Sequence, residues 1–234
     1  MAKLTLLQMT QDILNDMDGD NINAIDDTEE SLQVAQIIKT TYFNLVSQRD
    51  WAFLRALSSL EGLGDTNNPT KMKIAENVNK ILWLKYNKKD VVYKEPKDFL
   101  DLIQSRDTTA PEVDANGYRI DKDPSFWTSY DDQYVIFDSR DDSVDTTLQE
   151  SNSDVWAVTS PTWLHEDDFI PTLPEKDFPV LLAAAKSACF ILLKQTSNPV
   201  SDSYAVRGVV RMQNEHRKLK EAEDPSNRID YGRK

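Results

Sequence analysis

A chain of 234 residues can bury a real core, in one large domain or two small ones, although 39% hydrophobic content is on the low side for a compact globule. The net charge of −13, from 40 acidic and 27 basic side chains, argues against a surface built to grip a phosphate backbone or anionic lipid, which needs clustered Lys and Arg. The single cysteine, Cys189, excludes an internal disulfide and gives no hint of a zinc site. The N-terminal "MAKLTLLQMTQDIL" is interrupted by Gln8, Thr10 and Gln11 and does not read as a signal peptide. The most apolar stretch, Val180 to Leu193, carries Lys186, so no membrane span is expected. These features predict a soluble protein of a reducing compartment.

In chain order, Leu4, Leu7, Leu14 and Met17 recur at helical spacing and predict a first helix over roughly 4–17. "DMDGDNINAIDD" follows as an Asp/Asn/Gly loop. A second helix starts near Asp26 or Asp27, with Glu29 or Glu30 closing a capping box. Its apolar stripe is Leu32, Ala35, Ile38, Tyr42, Leu45 and Val46. At Trp51 and Phe53 the period switches to two, and strands are predicted there and over 81–86, 91–93, 134–137 and 155–158. A short helix opens on Pro96 and carries Phe99, Leu100 and Ile103. The polar stretches 106–130 and 138–154 read as long loops or arms that order on partners.

The helical period returns in "LPEKDFPVLLAAAKSACFILLKQ", where Ala183, Ala184 and Ala185 allow a close helix approach. Asn198-Pro199 stops that helix. A last helix, capped by Ser201 or Asp202, carries Ala205, Val209, Met212, His216 and Leu219, with Gly208 placed for another close approach, and ends at Asp224-Pro225. The expected fold is α+β: N- and C-terminal helices form one helical bundle, with a β-rich insertion between them. The segments are 1–50 (helical), 51–172 (β-rich, with long acidic loops), 173–225 (helical) and a tail, 226–234. Trp51 and Phe53 fall at the junction, where two rings on one strand face would wedge under the bundle and set the angle between the parts.

This order of pieces resembles the head-to-tail adaptors of short-tailed bacteriophages, the tail tubular protein A-like family, with relatives among tail accessory and head-completion proteins. The pieces are "ILNDMDG" and "INAIDD" around the first loop, "VSQRDWAF", "ILWLKYN", "VVYKEPKDFL", "LPEKDFPVLLAAAKSACFILL" and "AVRGVVRMQNEHRKLKEAE". They cover both helical ends and the first strands, and thin out between Arg106 and Phe169. The resemblance implies a structural virion protein with no catalysis and no cofactor, assembled in the host cytoplasm and placed at the head-tail junction. It implies a homo-oligomeric ring of twelve copies that binds the portal protein and a tail or nozzle protein, touches no membrane, and lets double-stranded DNA through its lumen. Twelve copies at −13 each would put roughly −156 on such a ring, a wall that repels its cargo rather than holding it. In that family chain ends reach onto the portal, and the tail, with Arg228, Ile229, Tyr231, Arg233 and Lys234, is placed to do the same. The alternatives are a tail-completion or stopper ring further down the tail, and a tail-borne cell-wall hydrolase.

No residue pattern points to chemistry. Asp16, Asp18 and Asp20 open like an EF-hand calcium loop, but the sixth position is Asn21 and the twelfth Asp27, where Gly and a bidentate Glu are needed. His165 and His216 have no ligand spacing, and Cys189 lies on an apolar helix face as a small hydrophobe. The six glycines form no phosphate-cradling run, and the paired acids Asp131-Asp132 and Asp141-Asp142 read as solvated loops.

Overall fold

In a computed structural model that describes residues 3–223, with side chains through Lys220, the chain forms two compact units. One takes the residues up to Phe53 together with those from Pro161 onward, and the other is Leu54–Ser160. The tail residues Arg228, Ile229, Tyr231, Arg233 and Lys234 lie outside the described residues.

In the helical unit, α1 (Leu6–Asp16) buries Leu6, Met9, Thr10, Ile13 and Leu14, a stripe at helical spacing. Thr5 caps it, exchanging hydrogen bonds with Gln8 in a capping box. Two of its first-turn N–H groups donate outside the helix, Leu6 to the Phe169 carbonyl (2.8 Å) and Leu7 to that of Asp167 (3.1 Å). Helix α2 (Glu29–Val46) buries Val34, Ala35, Ile38, Tyr42, Leu45 and Val46. Its cap is Thr28 with Ser31, one turn residue later than expected, because Asp27 is otherwise engaged: its carboxylate accepts from the Asn23 and Ala24 N–H groups. Helix α4 (Phe178–Lys194) buries Phe178, Val180, Leu181, Ala185 and Cys189 and packs on α1 and α2. Lys186, mostly buried, joins α4 to α1 by reaching both Asp12 (2.8 Å) and Asp16 (2.7 Å). Helix α5 (Pro199–Glu223) opens on Pro199 itself, because Asn198 accepts from the Ser201 N–H and so serves as the cap.

Residues 161–172, read from the sequence as part of the β-rich segment, belong to the helical unit. The Trp163 ring sits 5.4 Å from Tyr42 and 4.9 Å from Phe169, and the Tyr42 hydroxyl donates to the Thr172 carbonyl. Burial pushes the Tyr42 hydroxyl up to about 12, so it remains a donor throughout the neutral range.

The second unit holds β1 (Arg55–Ser58), β2 (Glu61–Gly62), β3 (Lys71–Lys73), β4 (Val78–Tyr86), β5 (Lys89–Tyr93), α3 (Pro96–Gln104), β6 (Phe126–Thr128), β7 (Tyr134–Phe137) and β8 (Ser153–Thr159). The strands form one sheet in the order β1-β8-β4-β5-β6-β7-β3-β2, antiparallel except where β5 and β6 run parallel. A two-residue turn, Asn87-Lys88, joins β4 to β5 with φ of 48° and 64°, the left-handed pair that matches strand twist. Tyr86 and Phe137, on strands three places apart in the sheet, bring their rings to 5.9 Å, so the sheet curls on itself. Leu60, Met72, Leu84, Val135, Phe137, Val155 and Ala157 fill the inside of the curl.

The expected fold, one bundle of terminal helices around a β-rich insertion, is therefore corrected. Among the described residues the chain is α+β with five α-helices and a curled, mixed, eight-stranded sheet. Helix α3 lies within the sheet segment, packed near β6, and α5, among its described side chains, buries only Met212 and packs mainly on α4. Helices α1, α2 and α4 pack together, whereas α5 joins them mainly through α4, since a bundle helix needs a broad apolar stripe and α5 presents a narrow one.

The stretches 106–130 and 138–154, expected to order on partners, are instead stitched within the unit. Arg106 donates to the carbonyls of Gly117 (3.1 Å) and Asp138 (2.7 Å) and to the Asp138 carboxylate (2.6 Å). The other Asp138 carboxylate oxygen accepts from the Ser125 and Phe126 N–H groups. Gly117, at φ 87°, runs so close to α3 that a Cβ would stand 2.5 Å from the Ile103 carbonyl oxygen.

Candidate functional site

Trp51 and Phe53 were expected on one strand face. The chain instead makes a 3-10 turn at Ala52–Leu54, and β1 begins only at Arg55. The turn stacks the two rings, 5.9 Å apart and 17° from parallel. Both belong to the helical unit. Trp51 is buried, donates from Nε1 to the Leu45 carbonyl (3.1 Å) and meets the His216 ring edge-on at 5.5 Å.

The most distinctive surface is built where α5 crosses α4. Gly208 faces Val180 so closely that a Cβ would lie 2.5 Å from Cγ2 and 2.8 Å from Cγ1. Of the three alanines, Ala185 is fully buried, whereas Ala183 and Ala184 are half-buried. The crossing is pinned by Arg211, which donates to the Lys176 carbonyl (3.0 Å) and the Asp177 carboxylate (3.2 Å). Burial pushes the Asp177 carboxyl up, and the neighbouring Lys176 and Arg211 charges only partly offset it. Lys176 pairs in turn with Glu215, and Ser187 with Asp202.

Beside the crossing runs an open groove of about 910 Å³, with Pro179, Val180 and Tyr204 as apolar walls and a rim of Lys176, Arg207 and Arg211 with one acid, Glu175. Arg207 is exposed and, among the described residues, makes no ion pair or hydrogen bond. The apolar side chains Val200, Tyr204, Val206 and Val210 of α5 and Ile191 and Leu192 of α4 are half or more exposed. On the sheet unit, Leu57, Trp156 and Trp83 align across β1, β8 and β4, with the two indoles stacked at 6.4 Å. Replacing Gly208 with valine should separate α4 from α5 and cost about 1–3 kcal/mol by overpacking. Thermal unfolding checks this, and a Gly208→Val chain that melts with the parent would show the crossing to be loose.

The remaining candidate positions have structural uses. Asp16 is tied to Lys186, and backbone N–H groups of Asn23 and Ala24 hold the Asp27 carboxyl below its ordinary range. Cys189 is fully buried, and burial pushes its thiol up to about 12, far from a nucleophile's range. Among the described residues no group of three or more His, Cys, Asp or Glu is arranged to hold a metal, and no helix is long and apolar enough to cross a membrane.

Sequence reasoning singled out Gly208 but missed the groove. Its signal was legible in "AVRGVVRM", where Arg207 and Arg211 stand one turn apart beside a glycine and so share a helix face. The Arg106–Asp138 clamp had no such signal, because its members are 32 residues apart. In comparison with known proteins, no family model matches this chain and no curated protein is significantly similar to it in sequence.

Proposed function

We propose that the protein is a non-catalytic virion component, a ring-forming head-to-tail adaptor that joins a portal to a tail and lines the DNA exit channel of a short-tailed phage. The observation that supports this reading is the set of large apolar side chains left open on α4 and α5: Tyr204 is 69% exposed, Val200 and Val206 65%, and Leu192 65%. Exposed apolar surface in that amount suits contacts with other chains. The resemblance in the order of sequence pieces names the assembly, and the net charge of −13 suits a conduit through which DNA passes without being held. On this reading the partners are further copies of the chain in a twelvefold ring, the portal, and a tail or nozzle protein.

Electron microscopy of the purified protein mixed with portal tests it. A twelvefold ring stacked on the portal is the expected result. A ring that forms only with tail parts would replace the adaptor by a stopper ring, and peptidoglycan hydrolysis by the pure protein would overturn both.

A further inference from the structure

The α4/α5 groove has apolar walls and a rim on which two cations are already engaged, Lys176 by Glu215 and Arg211 by Asp177, while Arg207 is not. It suits a segment that brings an aliphatic side chain to the walls and a carboxylate to Arg207. The chain carries such a segment in its sheet unit. Val144 is 80% exposed, the highest value for a large apolar side chain among the described residues. Asp142, two positions earlier, is exposed and makes no side-chain hydrogen bond or ion pair among the described residues.

The tip is held in shape before any encounter. Asp141 accepts from the Ser143 N–H (3.1 Å), the Asp145 N–H donates to the Asp141 carbonyl (3.1 Å), Arg140 donates to the Thr146 carbonyl (2.9 Å) and the Asp142 N–H to that of Ile120 (3.2 Å). A pre-formed tip loses little freedom on docking. Copies that each carry −13 repel one another, so contact between them needs a local pairing of opposite charge, and Asp142 with Arg207 supplies one.

We infer that the Asp142–Val144 tip of one copy docks into the α4/α5 groove of a second copy, with Val144 against Pro179, Val180 and Tyr204 and with Asp142 on Arg207. The contact is head-to-tail, using different patches on the two copies, and such contacts close into rings when the rotation permits. It rests on the adaptor reading for its place in a ring, and the pairing itself is testable without one.

The test is disulfide trapping between two single variants, Val144→Cys and Tyr204→Cys, mixed at high concentration under mild oxidation. Cys189 is buried and does not compete. A mixed dimer holding one of each variant should form about tenfold faster than with a Val144→Cys and Gln36→Cys mixture, Gln36 being an exposed position on α2. Arg207→Glu in the Tyr204→Cys partner should remove most of that advantage, and Asp142→Lys in the Val144→Cys partner should then return it. A mixed dimer no faster than the control, or one indifferent to Arg207→Glu, overturns the docking. So does a mixed dimer that appears only after deletion of residues 226–234, which would make the chain's own end the occupant, and so does a groove whose Tyr204→Cys thiol only the portal protects from alkylation. Rings on the portal without mixed dimers would refute this docking alone. Mixed dimers without rings would refute the adaptor reading alone.

Discussion

Replacing Asp138 with alanine should lower the stability of the sheet unit by about 3–5 kcal/mol, the range for removing one partner of a buried charge pair. Asp138 is 1% exposed, and its carboxylate is the shared acceptor for the Arg106 guanidinium and two backbone N–H groups, those of Ser125 and Phe126. Alanine leaves all three donors short of an acceptor in a place water reaches poorly, and each buried unsatisfied donor is costly. The loss reaches further than one contact. Ser125 directly precedes β6 and Phe126 opens it, so the start of that strand loses two hydrogen bonds, while Arg106, left with the Gly117 and Asp138 carbonyls alone, holds the segment between α3 and β6 less firmly. Calorimetry would show the melting transition of the sheet unit moving down. Asp138→Asn, which keeps an acceptor oxygen and gives up the charge, should move it less. An Asp138→Ala chain that melts with the parent would mean that the segment is held by its other bridges alone.

Trp51→Ala should cost the helical unit a similar amount, about 3–5 kcal/mol, by opening a cavity in its core. The indole is 3% exposed, stacked on Phe53 and set edge-on to His216. It lines a small hollow of about 150 Å³ with Met212 and Leu219, so removing it enlarges existing empty space that its neighbours have not closed. The Leu45 carbonyl at the end of α2 also loses its donor. Trp51→Phe keeps a ring in the stack but gives up that hydrogen bond and part of the buried volume, for a smaller loss of about 1–2 kcal/mol. Equal melting of Trp51→Ala and parent would show the ring to be dispensable, and equal losses in Trp51→Ala and Trp51→Phe would assign its value to the hydrogen bond instead of to packing.

The origin of the two effects in sequence differs. Trp51 was visible at once, as a large ring just past an amphipathic helix, yet its conformation was misread. Trp-x-Phe fits strand alternation, and whether such a pair extends or turns depends on what the rings meet. Here they meet His216 and the end of α2, which a turn reaches and a strand does not. Asp138 was invisible, one acid in a chain with 40. Its role exists only once the chain brings Arg106 and Ser125 to it.

By itself the sequence determined what is local. Helices α1, α2 and α4 follow from apolar residues at helical spacing, with caps or breakers at their ends, because a helix satisfies its hydrogen bonds within itself. The long strands β4 and β8 follow from runs of β-branched and aromatic residues. The composition likewise determined the −13 charge and the absence of a disulfide. Tertiary structure alone decided the rest. The short strands β2, β3 and β6 have two or three residues each and exist through their neighbours' hydrogen bonds. The curl of the sheet, the transfer of residues 161–172 to the helical unit and the groove beside Gly208 all depend on side chains far apart in sequence. Those contacts form only after long stretches of chain have closed on themselves, and no local window of sequence carries that information.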